Sequence, residues 1–382
     1  MFIFEPNNGY NRLMIYNWQQ KDWRKFKFDL QEVEDMLFAF AEETGQVTGI
    51  LKALPEGLQT EALINIMVSE AIKTSEIEGE YFSRQDVMSS ICNNLGLNEQ
   101  PETIKDKKAQ GAGELMVLVR KEYSSFLSEE QLFSWHKILL GENKKLKVGT
   151  WRTHKQPMQV VSGAIGKEKI HFEAPPSAQV PQEMQKFIQW FNDTAPGEKS
   201  EIKKAPVRSA IAHLYFESIH PFEDGNGRIG RAIAEKALSQ TIGRPVMLSI
   251  SQVIGSNKKL YYSELEAAQR SNEITAWVKY FVATILDAQT QAKKQIEFTL
   301  NKTRFFDQFK PQLNDRQLKV LKRMLEEGPN GFEGGMTANK YTSITGASKA
   351  TATRDFQELT KMGALVIQGG GRSTHYFINL NI

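Results

Sequence analysis

The stretch His220-Pro-Phe-Glu-Asp-Gly-Asn-Gly-Arg228 constrains this chain more than any other. It interrupts two runs of helical periodicity. Before it, Ala210, His213 and Leu214, and again Ile211, Leu214 and Tyr215, recur at helical spacing; after it, the run from Arg228 to Thr241 does the same. Apolar residues so spaced share one face of a helix, and the proline after His220 removes that histidine from helical geometry. The fold must therefore contain a helix, a glycine-bracketed loop, and a second helix whose N-terminus opens on that loop. Gly225-Asn226-Gly227 lets successive backbone N–H groups turn toward one anion, because glycine accepts positive φ. The second helix adds unpaired donors and the positive end of its dipole. Arg228 and Arg231, three positions apart, share a face, and two guanidiniums suit two phosphates. Asp224 is placed to hold Mg2+ against phosphate oxygens. His220, neutral beside a bound phosphate, can take a proton from an incoming hydroxyl.

Two other readings compete for these residues. Gly225, Gly227 and Gly230 spell the dinucleotide-binding string G-x-G-x-x-G, but that string needs a strand before it and an acidic residue about twenty positions on. Here a helical run precedes it, and Pro245-Val-Met-Leu-Ser-Ile250 follows. A helix corner with no ligand is the other reading; it leaves a histidine and two arginines without a task.

The chain is 382 residues long, enough for two or three domains. A net charge of +3 is too weak to imply nucleic acid by itself. One cysteine, Cys92, excludes an intrachain disulfide and a cysteine-rich zinc site. No apolar run reaches the roughly 18 residues of a membrane span, and the N-terminus lacks the layout of a signal peptide. The expectation is a cytoplasmic protein with no membrane partner.

The first thirty residues are rich in aromatics (Phe2, Phe4, Tyr10, Tyr16, Trp18, Trp23, Phe26, Phe28), which predicts a cap packed on something. Helical spacing runs from Leu30 to about Leu95. Residues 100–113 are polar and predict a connector, with helices resuming over 114–123 and 128–140. Met158–Val161 and Lys169–Phe172, around a turn bearing Gly163 and Gly166, read as a β-hairpin. Helices are expected over 181–191, 204–219, 228–241, 259–269 and 274–305. A last unit reads as helices over 315–325, 337–345 and 348–362, then two strands around a Gly-rich turn.

His220-Pro-Phe222-Glu-Asp224-Gly225-Asn226-Gly227-Arg228-Ile-Gly-Arg231 fits, without a departure, the H-x-F-x-[D/E]-G-N-G-R-x-x-R motif of Fic-domain proteins. The chain resembles that family over about residues 105–290. The resemblance implies a mainly α fold: a Fic-type helical core with a β-hairpin flap at 158–172 that aligns a target segment by strand addition. It also implies transfer of AMP from ATP to a Ser, Thr or Tyr hydroxyl of a protein target, which includes the chain itself. In that role His220 is the base, Asp224 orients Mg2+, Gly225, Asn226 and Gly227 hold phosphate oxygens, Arg228 and Arg231 hold the outer phosphates, and Phe222 packs in the core. Thr74-Ser-Glu-Ile-Glu78-Gly79 resembles the family's inhibitory pattern [S/T]-x-x-x-E-[G/N]. The resemblance implies that Glu78 pairs with Arg231 in place of the γ-phosphate; the plain alternative is a solvated helix end with Glu76, Glu78 and Glu80 exposed.

Tyr261 and Tyr262 either pack on the core or help enclose the nucleotide, as a tyrosine here does in related proteins; Tyr262 is the candidate. His213 and His136 read as structural. His154, His171 and His375 show no metal spacing. Residues 313–382 resemble a winged helix. They carry nine lysines and arginines against six acids, with Ser348, Lys349, Thr351, Thr353, Arg354, Arg372, Ser373 and Thr374 as candidate DNA contacts; a protein-contact or homodimer module is the alternative. The expected boundaries are 1–104 (N-terminal helical cap with the inhibitory helix), 105–295 (Fic core), 296–312 (linker helix) and 313–382 (winged helix). Two further functions remain open: removal of AMP at the same site, and a DNA-binding regulator that senses nucleotide.

Overall fold

The computed structural model describes residues 15–141, 146–163, 169–329 and 331–380, with the side chain of Arg372 left aside. Phe2, Phe4, Tyr10 and Gly166 lie outside the described residues. Helices dominate. In chain order they are α1 (Glu34–Ala53), α2 (Glu56–Ile77), α3 (Arg84–Leu95), α4 (Lys107–Lys121), α5 (Glu129–Leu140), α6 (Val180–Asp193), α7 (Ala205–Ile219), α8 (Asn226–Ile242), α9 (Ile250–Ser256), α10 (Lys258–Ala268), α11 (Thr275–Phe309), α12 (Asp315–Leu325), α13 (Ala338–Thr345) and α14 (Lys349–Lys361). Between α5 and α6 lies a hairpin of β1 (Gln159–Ser162) and β2 (Lys169–Glu173); β3 (Leu365–Gln368) and β4 (His375–Ile378) form a second. Both are antiparallel and two-stranded. No helix among the described residues is long and apolar enough to cross a membrane.

Two compact units share these elements: Met1–Glu43 with Leu63–Gln289, and Thr44–Ala62 with Thr290–Ile382. In the first, α7 packs along α8, and α4 lies against α3, α5 and α8. Every residue of α7 is buried, so it needs no polar stripe. Its one arginine, Arg208, is satisfied by the carbonyls of Phe191 and Ala237 and by Gln240, Thr194 and Thr241. Side-chain caps start many helices: Ser83 for α3, Asp106 for α4, Ser128 for α5 and Asn257 for α10, each contributing about 1 kcal/mol.

The connector expected over 100–113 is shorter than that, because α4 begins at Lys107 under the Asp106 cap. Its two glycines look like loop residues but serve close packing. A Cβ on Gly111 would lie 2.1 Å from the Ile138 carbonyl oxygen, and one on Gly113 would lie 2.8 Å from Ser90. The short α9, capped by Ser249, has no counterpart among the expected elements. The described part of the aromatic N-terminal segment, from Tyr16 on, packs as a cap. Trp23 and Phe26 meet Tyr215 edge-on, Trp23 Nε1 donates to Glu183 at 2.8 Å, and the buried Asn17 donates to Ser218 Oγ at 2.9 Å.

The second unit has its own core of Val320, Leu321, Met324, Tyr341, Phe356 and Leu359. Phe356 stacks on Tyr376 of β4 at 4.0 Å. Buried Asp355 accepts from Arg316 at 3.2 Å and from the Tyr341 hydroxyl. The order α12, α13, α14, β3, β4 follows the sequence expectation.

Candidate active site

The loop between α7 and α8 is fixed from several sides. His220 caps α7 in a left-handed conformation, φ 50°, which a residue with a Cβ adopts only when its surroundings hold it there. Arg152 does the holding. Its Nε donates to the His220 carbonyl at 2.8 Å, Nη2 to the Ile219 carbonyl at 3.3 Å, and its backbone N–H to the Pro221 carbonyl at 2.9 Å. Burial pushes this guanidinium down to about 10. Phe222 is fully buried and stacks on His136 at 4.0 Å. His136 Nδ1 accepts from Gly149 N–H at 2.8 Å, so Nε2 carries the proton and donates to the Asp224 carbonyl at 3.1 Å. Burial lowers its pKa and keeps it neutral.

Asn226 closes the loop on itself. Its Oδ1 accepts from Phe222 N–H and its Nδ2 donates to the Phe222 carbonyl, both at 2.9 Å. The side chain is thus committed, leaving the backbone N–H groups at the start of α8 to face a ligand. Gly225, at φ 82°, is the N-cap and supplies no side-chain cap. The first donors of α8 therefore keep the character of an anion site. Asp224 is exposed, with Oδ1 accepting from Gly225 N–H at 2.6 Å.

Arg231 is buried on the next turn. Its Nε donates to Thr74 Oγ1 at 2.7 Å, and Nη2 to the Thr74 carbonyl at 2.9 Å and to Glu78 Oε1 at 2.8 Å. Burial alone would lower its pKa; the Glu78 carboxylate outweighs that and holds it above its ordinary value. Arg228, also buried, is paired with Glu80, which Lys108 Nζ also reaches at 2.6 Å. Both arginines are thus occupied by carboxylates from the segment that follows α2. Glu70 ties α2 in place, accepting from Ser249 Oγ at 2.7 Å and Ser251 N–H at 2.9 Å.

A cavity of about 880 Å³ opens over this loop, lined by Glu78, His220, Asp224, Asn226, Gly227 and Tyr262 among others. Strands β1 and β2 form one wall, with Val161 and Ile170 exposed. The hairpin is latched to α10: His171 Nδ1 lies 2.6 Å from Glu266 Oε2, and Arg270 donates to the His171 carbonyl at 2.8 Å.

Comparison with known proteins agrees with this geometry. Residues 126–238 match the family described as Fic/DOC family. That span begins before α5 and contains the whole loop. The chain carries a Fic domain. Residues 16–97, ahead of it, match a family described as Domain of unknown function (DUF4172). Protein adenylyltransferase fic-1 of Caenorhabditis elegans is 26% identical over 164 residues, 43% of this chain and 28% of that protein. The probable protein adenylyltransferase aq_aa38 of Aquifex aeolicus is 29% identical over 178 residues, 44% of this chain and 48% of that protein. The chain thus spans less than half the length of these curated relatives. Crystal structures of a Fic family protein from Desulfovibrio desulfuricans (TM-score 0.51, 19% identity, 90% of this chain and 96% of that one) and of a Fic domain containing signaling protein from Bacteroides thetaiotaomicron (0.51, 18%, 70% and 97%) share the fold.

Within the Fic domain and its flanks, the structure brings the sequence candidates together. His220, Asp224, Gly225, Asn226, Gly227, Glu78 and Tyr262 line one cavity, with Arg228 and Arg231 behind it. A helix, not a strand, precedes the glycine string, which removes the dinucleotide-binding reading. The two tyrosines are placed differently. Tyr261 is buried with its hydroxyl 2.8 Å from His213 Nε2, while Tyr262 is exposed on the cavity wall. Sequence reading missed Arg152, Glu80 and Glu217. Arg152 and Glu217 have no local pattern. Glu80 could have been found: it sits two residues past Glu78, beside a segment that already faces one motif arginine.

Proposed function

We propose that the Fic domain transfers AMP from ATP to a Ser, Thr or Tyr hydroxyl of a protein, and that Glu78 and Glu80 hold it in check. The observation that carries this is the cavity shared by a histidine and an uncapped helix N-terminus, with two buried arginines of that helix paired to the carboxylates Glu78 and Glu80. His220 Nε2 would take the hydroxyl proton as that oxygen bonds to the α-phosphorus, and the bond from that phosphorus to pyrophosphate breaks. The N–H groups of Asn226 and Gly227, the first of α8, would meet the charge that builds on phosphate oxygens, the largest contribution in such a site. Arg228 and Arg231 would hold the outer phosphates once freed of their carboxylates. The exposed edge of the hairpin would align the target by strand addition.

Asp224 fits Mg2+ as a single exposed carboxylate, which is enough when phosphate oxygens and waters complete the octahedron. Among the described residues no cluster of three His, Cys, Asp or Glu side chains could hold a metal ion, so the phosphates must supply the remaining ligands. Bound there, the ion would neutralise charge on the transferring phosphate.

The test is intact mass after incubation with ATP and Mg2+, for wild type and Glu78→Gly. Covalent AMP on the protein, and more of it in the variant, is the expected result. Release of AMP from protein modified beforehand would assign the reverse reaction instead, and ATP binding with neither outcome would sink the enzyme reading. For the second unit, the exposed Lys349, Thr353 and Arg354 on α14 support a winged-helix module that docks on duplex DNA. Binding there would weaken steeply with salt.

A further inference from the structure

Glu217 is a buried acid that the mechanism above leaves unused. It lies in the last turn of α7, and His220 is the cap of that same helix end. Its Oε2 is 3.5 Å from His220 Nδ1, and the two side chains are 5% and 15% exposed. Among the described residues, buried Nδ1 has no hydrogen-bond partner, and neither has Glu217 Oε1. Among the described residues, no other carboxylate is paired with Nδ1.

We propose that Glu217 is the positioning residue of His220: its carboxylate faces Nδ1, keeps the proton there, and leaves Nε2 free to accept the proton of the incoming hydroxyl. The part this plays in turnover rests on the adenylyl-transfer reading; the tautomer does not. A histidine serving as base through one ring nitrogen needs the other held by an acceptor that also stabilises the imidazolium formed in the reaction. The 3.5 Å separation is that of a resting site, which tightens when the ring becomes charged. Burial pushes Glu217 up, but the proximity and charge of His220, with His213 and Arg231, hold it below the ordinary carboxylate value, so it stays ionised.

Its surroundings explain Gly230, the third glycine of the string noted in the sequence. A Cβ there would lie 2.3 Å from Glu217 Oε1 and 3.2 Å from the His213 ring. The Tyr261 hydroxyl pins that ring from the other side at 2.8 Å. Glu217 is therefore walled by α7, α8 and α10, and the titratable groups on that buried side are His213, Arg231 and Tyr261. On the cavity side, His220 shares its space with the acids Glu78, Glu223, Asp224 and Glu266, with Lys169 and His171 of β2, and with Lys258, Lys259 and Tyr262 of α10.

The test compares full-length wild type, Glu217→Gln, Glu217→Asp and Gly230→Ala, each with and without Glu78→Gly. Histidine ¹⁵N NMR across pH reads the His220 tautomer and pKa; AMP incorporation against pH reads turnover. In Glu217→Gln the imidazolium loses its counter-charge, so the His220 titration should move to lower pH. The acid limb of kcat/KM should move to lower pH with it, and kcat should drop about tenfold or more while KM for ATP stays within about twofold. Glu217→Asp should recover part of the loss. Gly230→Ala, a helix-favouring change, should reproduce it by displacing the carboxylate. An unchanged tautomer and pKa in folded Glu217→Gln would overturn the proposal, as would a loss of rate with an unmoved pH profile. If no AMP is incorporated even with Glu78→Gly, yet the His220 titration answers to Glu217→Gln, the transfer reading falls and the positioning of His220 stands.

Discussion

Asn226 and Phe222 exchange two hydrogen bonds of 2.9 Å between one side-chain amide and one residue's backbone. This makes the glycine turn a closed ring rather than a floppy hinge, with the side chain of its central residue turned away from any ligand. Asn226→Asp removes the donor and sets a carboxylate against the Phe222 carbonyl. The buried acceptor left unpaired should cost about 1–3 kcal/mol. The expected outcome is a lowered thermal midpoint together with loss of AMP incorporation. A variant of full stability and activity would show that the ring is dispensable.

His220 is the base in the proposed reaction, and a positioned base supplies about 10² to 10⁴-fold. His220→Ala should lower AMP incorporation by that much in the Glu78→Gly background, while ATP binding, measured by calorimetry, changes little. Near-full transfer by this variant would remove His220 from the chemistry.

Glu80 on Arg228 is the second carboxylate on a motif arginine, and Arg228 is only 3% exposed. A buried charge-assisted hydrogen bond contributes about 1.5–3 kcal/mol, and in the proposed reaction ATP displaces it to reach the guanidinium. Glu80→Gln should therefore tighten ATP binding by about tenfold, and Glu78→Gly with Glu80→Gln should incorporate AMP faster than Glu78→Gly alone. Equal rates for the single and double variants would confine the check to Glu78.

Gly111 faces a backbone oxygen that cannot yield: the methyl group of an alanine at this position would lie 2.1 Å from it. Gly111→Ala would favour a free helix, but here it must push α4 from α5, at a cost of about 1–3 kcal/mol or more. Chemical denaturation should show a fall in midpoint. A gain in stability would mean that the two helices separate freely.

The loop motif is readable because each of its parts is a local statement. A proline after a histidine, glycines at a helix start and arginines three apart define geometry within one turn of chain. The same holds for the hairpins and for α12 to α14, whose caps and periodicity lie in short windows. Residues 107–113 read as connector because the stretch is polar; Gly111 and Gly113, which weaken a helix intrinsically, are there because of the proximity of α5 and α3, which no window of sequence contains.

The sequence by itself determined a helix, a glycine-bracketed loop and a second helix with a histidine beside them, and its resemblance to a known family carried the expectation that Glu78 meets Arg231. Tertiary structure decided which groups make that site work as a unit. Arg152 arrives from a loop 68 residues away to hold the left-handed turn at His220, and Glu80 takes Arg228 from 148 residues away. Glu217, although near in sequence, gains its meaning only from the helix end that turns His220 back toward it and from the walls at Gly230 and His213. The reason is physical: backbone geometry and caps are set by neighbours along the chain, whereas the partner of a buried charge is whichever group folding brings within about 3 to 4 Å of it, and burial then makes that partner indispensable.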